Sequence, residues 1–178
     1  KLYQGQPVIP TAAGVIDDLQ AAAGGTVSIV GVFWGCEYVS STSGKTIWSN
    51  TWPGSGADTN YPVKAFVYDD PMQTFTIATS NVVAAANTEA EVRAAVFANI
   101  AFATGNSGDD TTGISSATAD LNTIATTAAH SMRIMGVQDD PDNSDFTVAG
   151  IPLIVRLNNH FNAPNGSIVQ GTVSTTGV

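Results

Sequence analysis

Punctuation is what most constrains this chain: short runs of β-branched and aromatic residues are separated, almost throughout, by clusters of Gly, Pro, Asn, Asp and Ser. Runs of this kind are too short to stand alone and satisfy their backbone only by pairing with other runs, so an all-β, mostly β fold is expected. Thr26 to Tyr38 reads as one or two central strands within 26–39, with Gly31 and Gly35 where a strand would bend or bulge. Ser40 to Gly44 is a turn, and Thr46 to Trp52 returns as a hairpin partner until Pro53, Gly54 and Gly56 end it. Strands follow at about 62–68 and 72–79, joined by the turn Asp69, Asp70, Pro71.

Helical spacing is confined to Thr88 to Ala98, where Thr88 caps and Glu91, three positions on, completes a capping box ahead of Val92, Ala95 and Val96. Gly105 to Thr112 is a polar loop, and Ser115 to Ala129 suits a loose strand or an extended connection. His130 to Val137 and Ile151 to Leu157 are the next strands, separated by the acidic loop Asp139 to Asp145 and closed by Asn158, Asn159 and His160. A short β-like run, Ser167 to Val173, lies in the Gly/Ser/Thr-rich end. The whole reads as a single β domain over 1–178, with segments 1–10 and 163–178 as candidate arms. Val30, Val32, Phe66, Ile134, Ile154 and Leu157 are the expected core.

Charge narrows the partners. Six Lys and Arg stand against 15 Asp and Glu, for a net charge of −9, so the chain lacks the cations to neutralise a run of phosphates. Nucleic acid and anionic membrane are therefore not expected. Charged residues are only 12% of the chain, about half the roughly 25% usual for soluble domains, which leaves hydroxyl, amide and methyl groups to form the surface. No apolar stretch reaches the roughly 20 residues of a spanning helix, and Cys36, alone, forms no intrachain disulfide.

Motifs that carry chemistry are incomplete. Gly44-Lys45-Thr46 lacks the first glycine of a phosphate loop, which would fall at Val39, and runs into a strand rather than a helix. Asp140, Asp142 and Ser144 alternate like calcium ligands, but Asp145 and Ile151 stand where the turn glycine and the bidentate glutamate belong. His130 and His160 sit at strand ends without a metal-binding spacing or a nucleophile elbow. Cys36 reads as a buried inert thiol, and the pairs Asp17-Asp18, Asp69-Asp70 and Asp109-Asp110 as caps and turns. No enzyme, cofactor or metal is expected. Trp48, Trp52 and Tyr61 flank a Gly/Pro loop and form the candidate contact surface, joined by Leu2, Tyr3 and Phe161 near the end segments.

Five stretches, in order, resemble the decoration or cement proteins that accompany the major capsid protein of tailed bacteriophages, marine ones in particular. They are Leu2 to Val8 (LYQGQPV), Ile29 to Tyr38 (IVGVFWGCEY), Trp48 to Pro53 (WSNTWP), Val63 to Pro71 (VKAFVYDDP) and the block Gly105 to His160, with TTGISSATAD, MRIMGVQDDPDN and LIVRLNNH. The resemblance implies a structural virion protein on the capsid exterior, assembled in the host cytoplasm. Its partners would be the major capsid protein and copies of itself. A jelly-roll or related β-barrel or sandwich is the implied architecture. The reading from another class is a carbohydrate-binding β module that uses Trp48, Trp52 and Tyr61 as a stacking platform.

Overall fold

Strand pairing decides an architecture of this kind, because each short run must find its backbone partners elsewhere in the chain. In a computed structural model, residues 1–19, 28–103, 107–127, 130–142 and 145–163 are described. In chain order the elements are β1 (Leu2–Tyr3), β2 (Pro7–Pro10), β3 (Ile16–Asp18), β4 (Gly31–Val39), β5 (Thr46–Ser49), β6 (Thr51–Trp52), β7 (Lys64–Tyr68), β8 (Thr74–Ala78), α1 (Glu89–Ala94), β9 (Asn99–Phe102), β10 (Ala119–Ala125), β11 (Met132–Val137) and β12 (Pro152–Leu157). The fold is mostly β with one short helix among the described residues, as the punctuation requires.

Every pairing between these strands is antiparallel. The first sheet has the order β3-β2-β4-β5, with β7 along the other edge of β4. The second has the order β10-β9-β11-β12-β8, and β1 with β6 makes a separate ribbon. β7 and β8, consecutive in sequence, therefore belong to different sheets, and the Asp69-Asp70-Pro71 turn is a corner between them. Its Asp70 carboxylate accepts the Met72 N–H at 2.8 Å, and in Asp139-Asp140-Pro141 the Asp140 carboxylate does the same for Asp142 at 3.0 Å, so the two segments share one turn chemistry.

Alternation explains the packing. On β12, Leu153, Val155 and Leu157 are buried and Ile154 and Arg156 are less so, which places the former on the core side. They join Met132, Ile134, Ile100, Phe102 and Leu121 in the larger cluster, over which α1 lays Val92. Thr88 caps that helix in a full capping box with Glu91. The first sheet is used on both sides: Ile9 packs against the larger cluster, whereas Val8, its neighbour, builds a smaller one with Leu2, Phe33 and Cys36. A cavity of about 260 Å³ lies between the sheets, lined by Pro7 and Val32 of the first and by Phe75, Ile77, Met132 and Val155 of the second.

Two expectations change. Residues 1–10 are not an arm, because β1 and β2 are strands of the fold and Leu2 and Tyr3 are buried, at 5% and 8% exposure. Phe66 is only half-buried and lies outside both clusters, and Ile154, Val30 and Val32 are also partly exposed. The run Ser167 to Val173 and the arm beyond Ala163 fall outside the described residues.

Candidate functional site

β4 carries the site because its ladder is irregular. Phe33 pairs with Val67 and Gly35 with Phe66, so Trp34 is an extra residue opposite β7. A side chain at Gly35 would put its Cβ 2.8 Å from the Ser49 carbonyl oxygen, so the bulge holds only with glycine there. Trp34 is thrown to the face that carries Phe66 and Trp48. Trp48 stacks on Phe66, with ring centroids 5.5 Å apart and planes at 15°, while Trp34 meets the same ring edge-on at 6.4 Å and 83°. The two indoles remain open, Trp48 at 66% exposure and Trp34 at 49%.

Between them is a cleft of about 250 Å³ whose lining adds Gln4, Gly35, Ser49 and Asn50 to the rings. Asn50 is oriented by donating to the Thr112 carbonyl at 3.0 Å. The half-buried Gln4 amide has no side-chain hydrogen bond among the described residues. Glu37, opposite both Trp48 and Lys64 in the ladders, accepts from the Lys64 ammonium at 3.3 Å. The charges beside the cleft thus neutralise each other.

The opposite face of the same sheet carries an apolar pocket of about 440 Å³, lined by Leu2, Ile16, Phe33, Trp52, Val63 and the exposed Val15. Trp52 packs edge-on against Tyr38 at 5.3 Å and 79°. Cys36 is buried there with its thiol 3.5 Å from the Thr51 carbonyl, and burial pushes the thiol pKa up, which disfavours the reactive thiolate.

Trp48, Trp52 and Tyr61 do not form one platform. Trp48 stacks on Phe66, Trp52 packs on Tyr38 and lines the apolar pocket, and the exposed Tyr61 makes no ring contact among the described residues. Phe161 is exposed, its backbone N–H donating to the Ile29 carbonyl at 2.8 Å. Leu2 and Tyr3 turn their contacts inward: Leu2 belongs to the smaller cluster, and the Tyr3 hydroxyl donates to Asp110 at 2.6 Å. Lys1 also grips that carboxylate, at 2.7 Å, and these two donors hold Asp110 below the usual carboxylate range. Of the two rings central to the cleft, Trp34 was legible only as a strand residue and Phe66 only as a core residue. Alternation locates a face but not what covers it.

Other titratable groups sit in turns or, like Arg93 with Glu89 and Asp139, in exposed ion pairs. Lys45 lies just past the Ser40 to Gly44 turn of the β4–β5 hairpin. Asp109 and Asp145 accept backbone N–H groups of Thr111 and Thr147, at 2.7 and 2.8 Å, and both are held below the usual carboxylate range by hydrogen bonds to those threonines. His160 is fully buried, and desolvation lowers its pKa against the opposing pull of Asp69 and Asp70. Among the described residues no three His, Cys, Asp or Glu side chains gather to hold a metal, and no helix is long and apolar enough to cross a membrane. No protein-family model, curated protein or solved structure matches the chain.

Proposed function

We propose that this chain is a structural virion protein that binds the outside of a tailed-phage capsid and braces contacts between major capsid subunits. The observation that carries the reading is the 440 Å³ apolar pocket open onto the smaller core cluster. A core left uncovered on one side gains from an apolar side chain supplied by a neighbour, at roughly 25 cal/mol per Å² removed from water. Val15 and Val63 at its lining are exposed aliphatic groups, and interface cores favour such groups over Lys and Glu. On a shell lattice one modest contact is repeated many times, so avidity adds to each. The major capsid protein and further copies of this chain are the partners in this reading. The virion exterior is the location, and a jelly-roll or related barrel or sandwich path is the finer fold that goes with it.

The test is occupancy on purified shells. Val15→Asp keeps the turn, since among the described residues the turn uses only the backbone carbonyl of Val15, which accepts from Thr11 at 2.8 and 2.9 Å. It places a charge at the pocket and should lower occupancy by about tenfold or more. Shells without the protein should rupture at a lower temperature. Undiminished occupancy of the variant, or shells equally robust without the protein, would remove the basis of the proposal.

A further inference from the structure

The Trp34–Trp48 cleft is on the face of β4 away from the apolar pocket, and its chemistry is different. We infer that this cleft binds one neutral pyranose ring of a glycan. The assignment goes beyond shell attachment and does not depend on it.

Trp48 has one indole face against Phe66 and is otherwise mostly open. An indole face is electronegative, so it attracts the weakly positive C–H groups on the apolar side of a pyranose. Trp34 stands edge-on to the ring that Trp48 parallels, so the two indoles form a corner of two roughly perpendicular walls. A sugar in that corner stacks on one wall and abuts the other. Its hydroxyls then need partners that both donate and accept, which is what the carboxamides of Gln4 and Asn50 offer. Gln4 makes no competing side-chain hydrogen bond among the described residues.

Size and charge narrow the ligand. About 250 Å³ lies below the roughly 300 Å³ at which drug-sized pockets begin, so the cleft takes a single ring. No charged side chain lines it, the adjacent Glu37 is tied to Lys64, and the chain as a whole carries −9. That field repels nucleotides, anionic lipids and acidic sugars and leaves neutral ones unopposed. The walls come from three paired strands, and Gly35 at the floor lets the backbones of β4 and β5 approach closely.

The soluble chain is titrated, by intrinsic tryptophan fluorescence, with glucose, galactose, mannose and N-acetylglucosamine and with linear oligomers of each. A saturable shift with at least one sugar is expected, the monosaccharide displacing its own oligomer. Trp48→Ala should weaken binding at least tenfold and Gln4→Ala severalfold, Trp48→Phe should retain it, and Tyr61→Ala should leave it within twofold. Unchanged thermal melting of each variant shows that the fold is intact. Silence toward all the sugars, binding untouched by Trp48→Ala, or an oligomer that its monosaccharide cannot displace would overturn the assignment. So would Trp48→Ala abolishing shell occupancy without any sugar response, which would give the face to a protein partner. Loss of shell occupancy in Val15→Asp with sugar binding intact would leave both readings standing.

Discussion

The backbone N–H of Asn162 donates to Nδ1 of His160 at 3.1 Å, so in the neutral ring the proton resides on Nε2, which is buried without a partner among the described residues. Charging this ring would turn Nδ1 from acceptor to donor against the same N–H and place a cation in a buried site. The charges that act on it, Asp69 and Asp70, offset only part of that penalty. Its folded pKa is therefore below the ordinary 6.5. The unfolded chain then binds the proton more readily, so the stability linked to this residue is complete above about pH 6.5 and is lost as pH falls through that value toward the folded pKa. Urea unfolding at pH 7.5 and pH 5.5 should show a lower midpoint at the lower pH, and His160→Asn should remove much of that difference. A midpoint equal at the two pH values would refute the assignment.

Truncation should rank the larger cluster above the cleft. Ile134 is fully buried in that cluster, so Ile134→Ala is expected to destabilise by about 2–5 kcal/mol. Phe66 is half-buried between two exposed indoles, and Phe66→Ala should be milder, at about 1–2 kcal/mol, while altering tryptophan emission. Equal losses in denaturant unfolding would contradict the burial described.

At Gly31 the chain approaches β7 so closely that a methyl group would overlap the Tyr68 carbonyl oxygen. Backbone cannot move aside as the end of a side chain can. Gly31→Ala is expected to cost about 3 kcal/mol or more and to raise amide exchange along β7. Wild-type stability in this variant would mean that the two strands are less closely apposed.

Cys36 gives a simple probe of the smaller cluster. Its burial predicts that a thiol reagent at pH 8 labels the folded chain far more slowly than the chain in denaturant, by about two orders of magnitude or more. Comparable rates would show that the pocket lining opens readily.

Local signals survived into the structure where their cause is local. The Thr88 capping box, the two Asp-Asp-Pro turns and the marking of Gly35 as a bulge each depend on a few adjacent residues, and each is present. What could not be read depends on distant partners. β8 pairs with β12, more than seventy positions away, so nothing near Asp70 announces a corner instead of a hairpin. Asn158 does stop β12, but its burial and its bonds to Asn99 at 2.9 Å and to the His130 carbonyl at 3.1 Å depend on distant partners. The cleft was half legible for the same reason: Trp48 stood out beside its loop, whereas Phe66 reaches it from a strand that is adjacent only after folding.

The extra residue at Trp34 also means that β4 is written in two phases. Before it, odd positions such as Phe33 look toward the smaller cluster, and after it even positions such as Cys36 and Tyr38 do. Deleting one residue here would therefore do more than shorten a strand, because it would send everything beyond it to the wrong side. Any alignment of a relative to this chain has to carry that offset, and a gap placed on either side of Trp34 and Gly35 would invert the apparent face of half the strand.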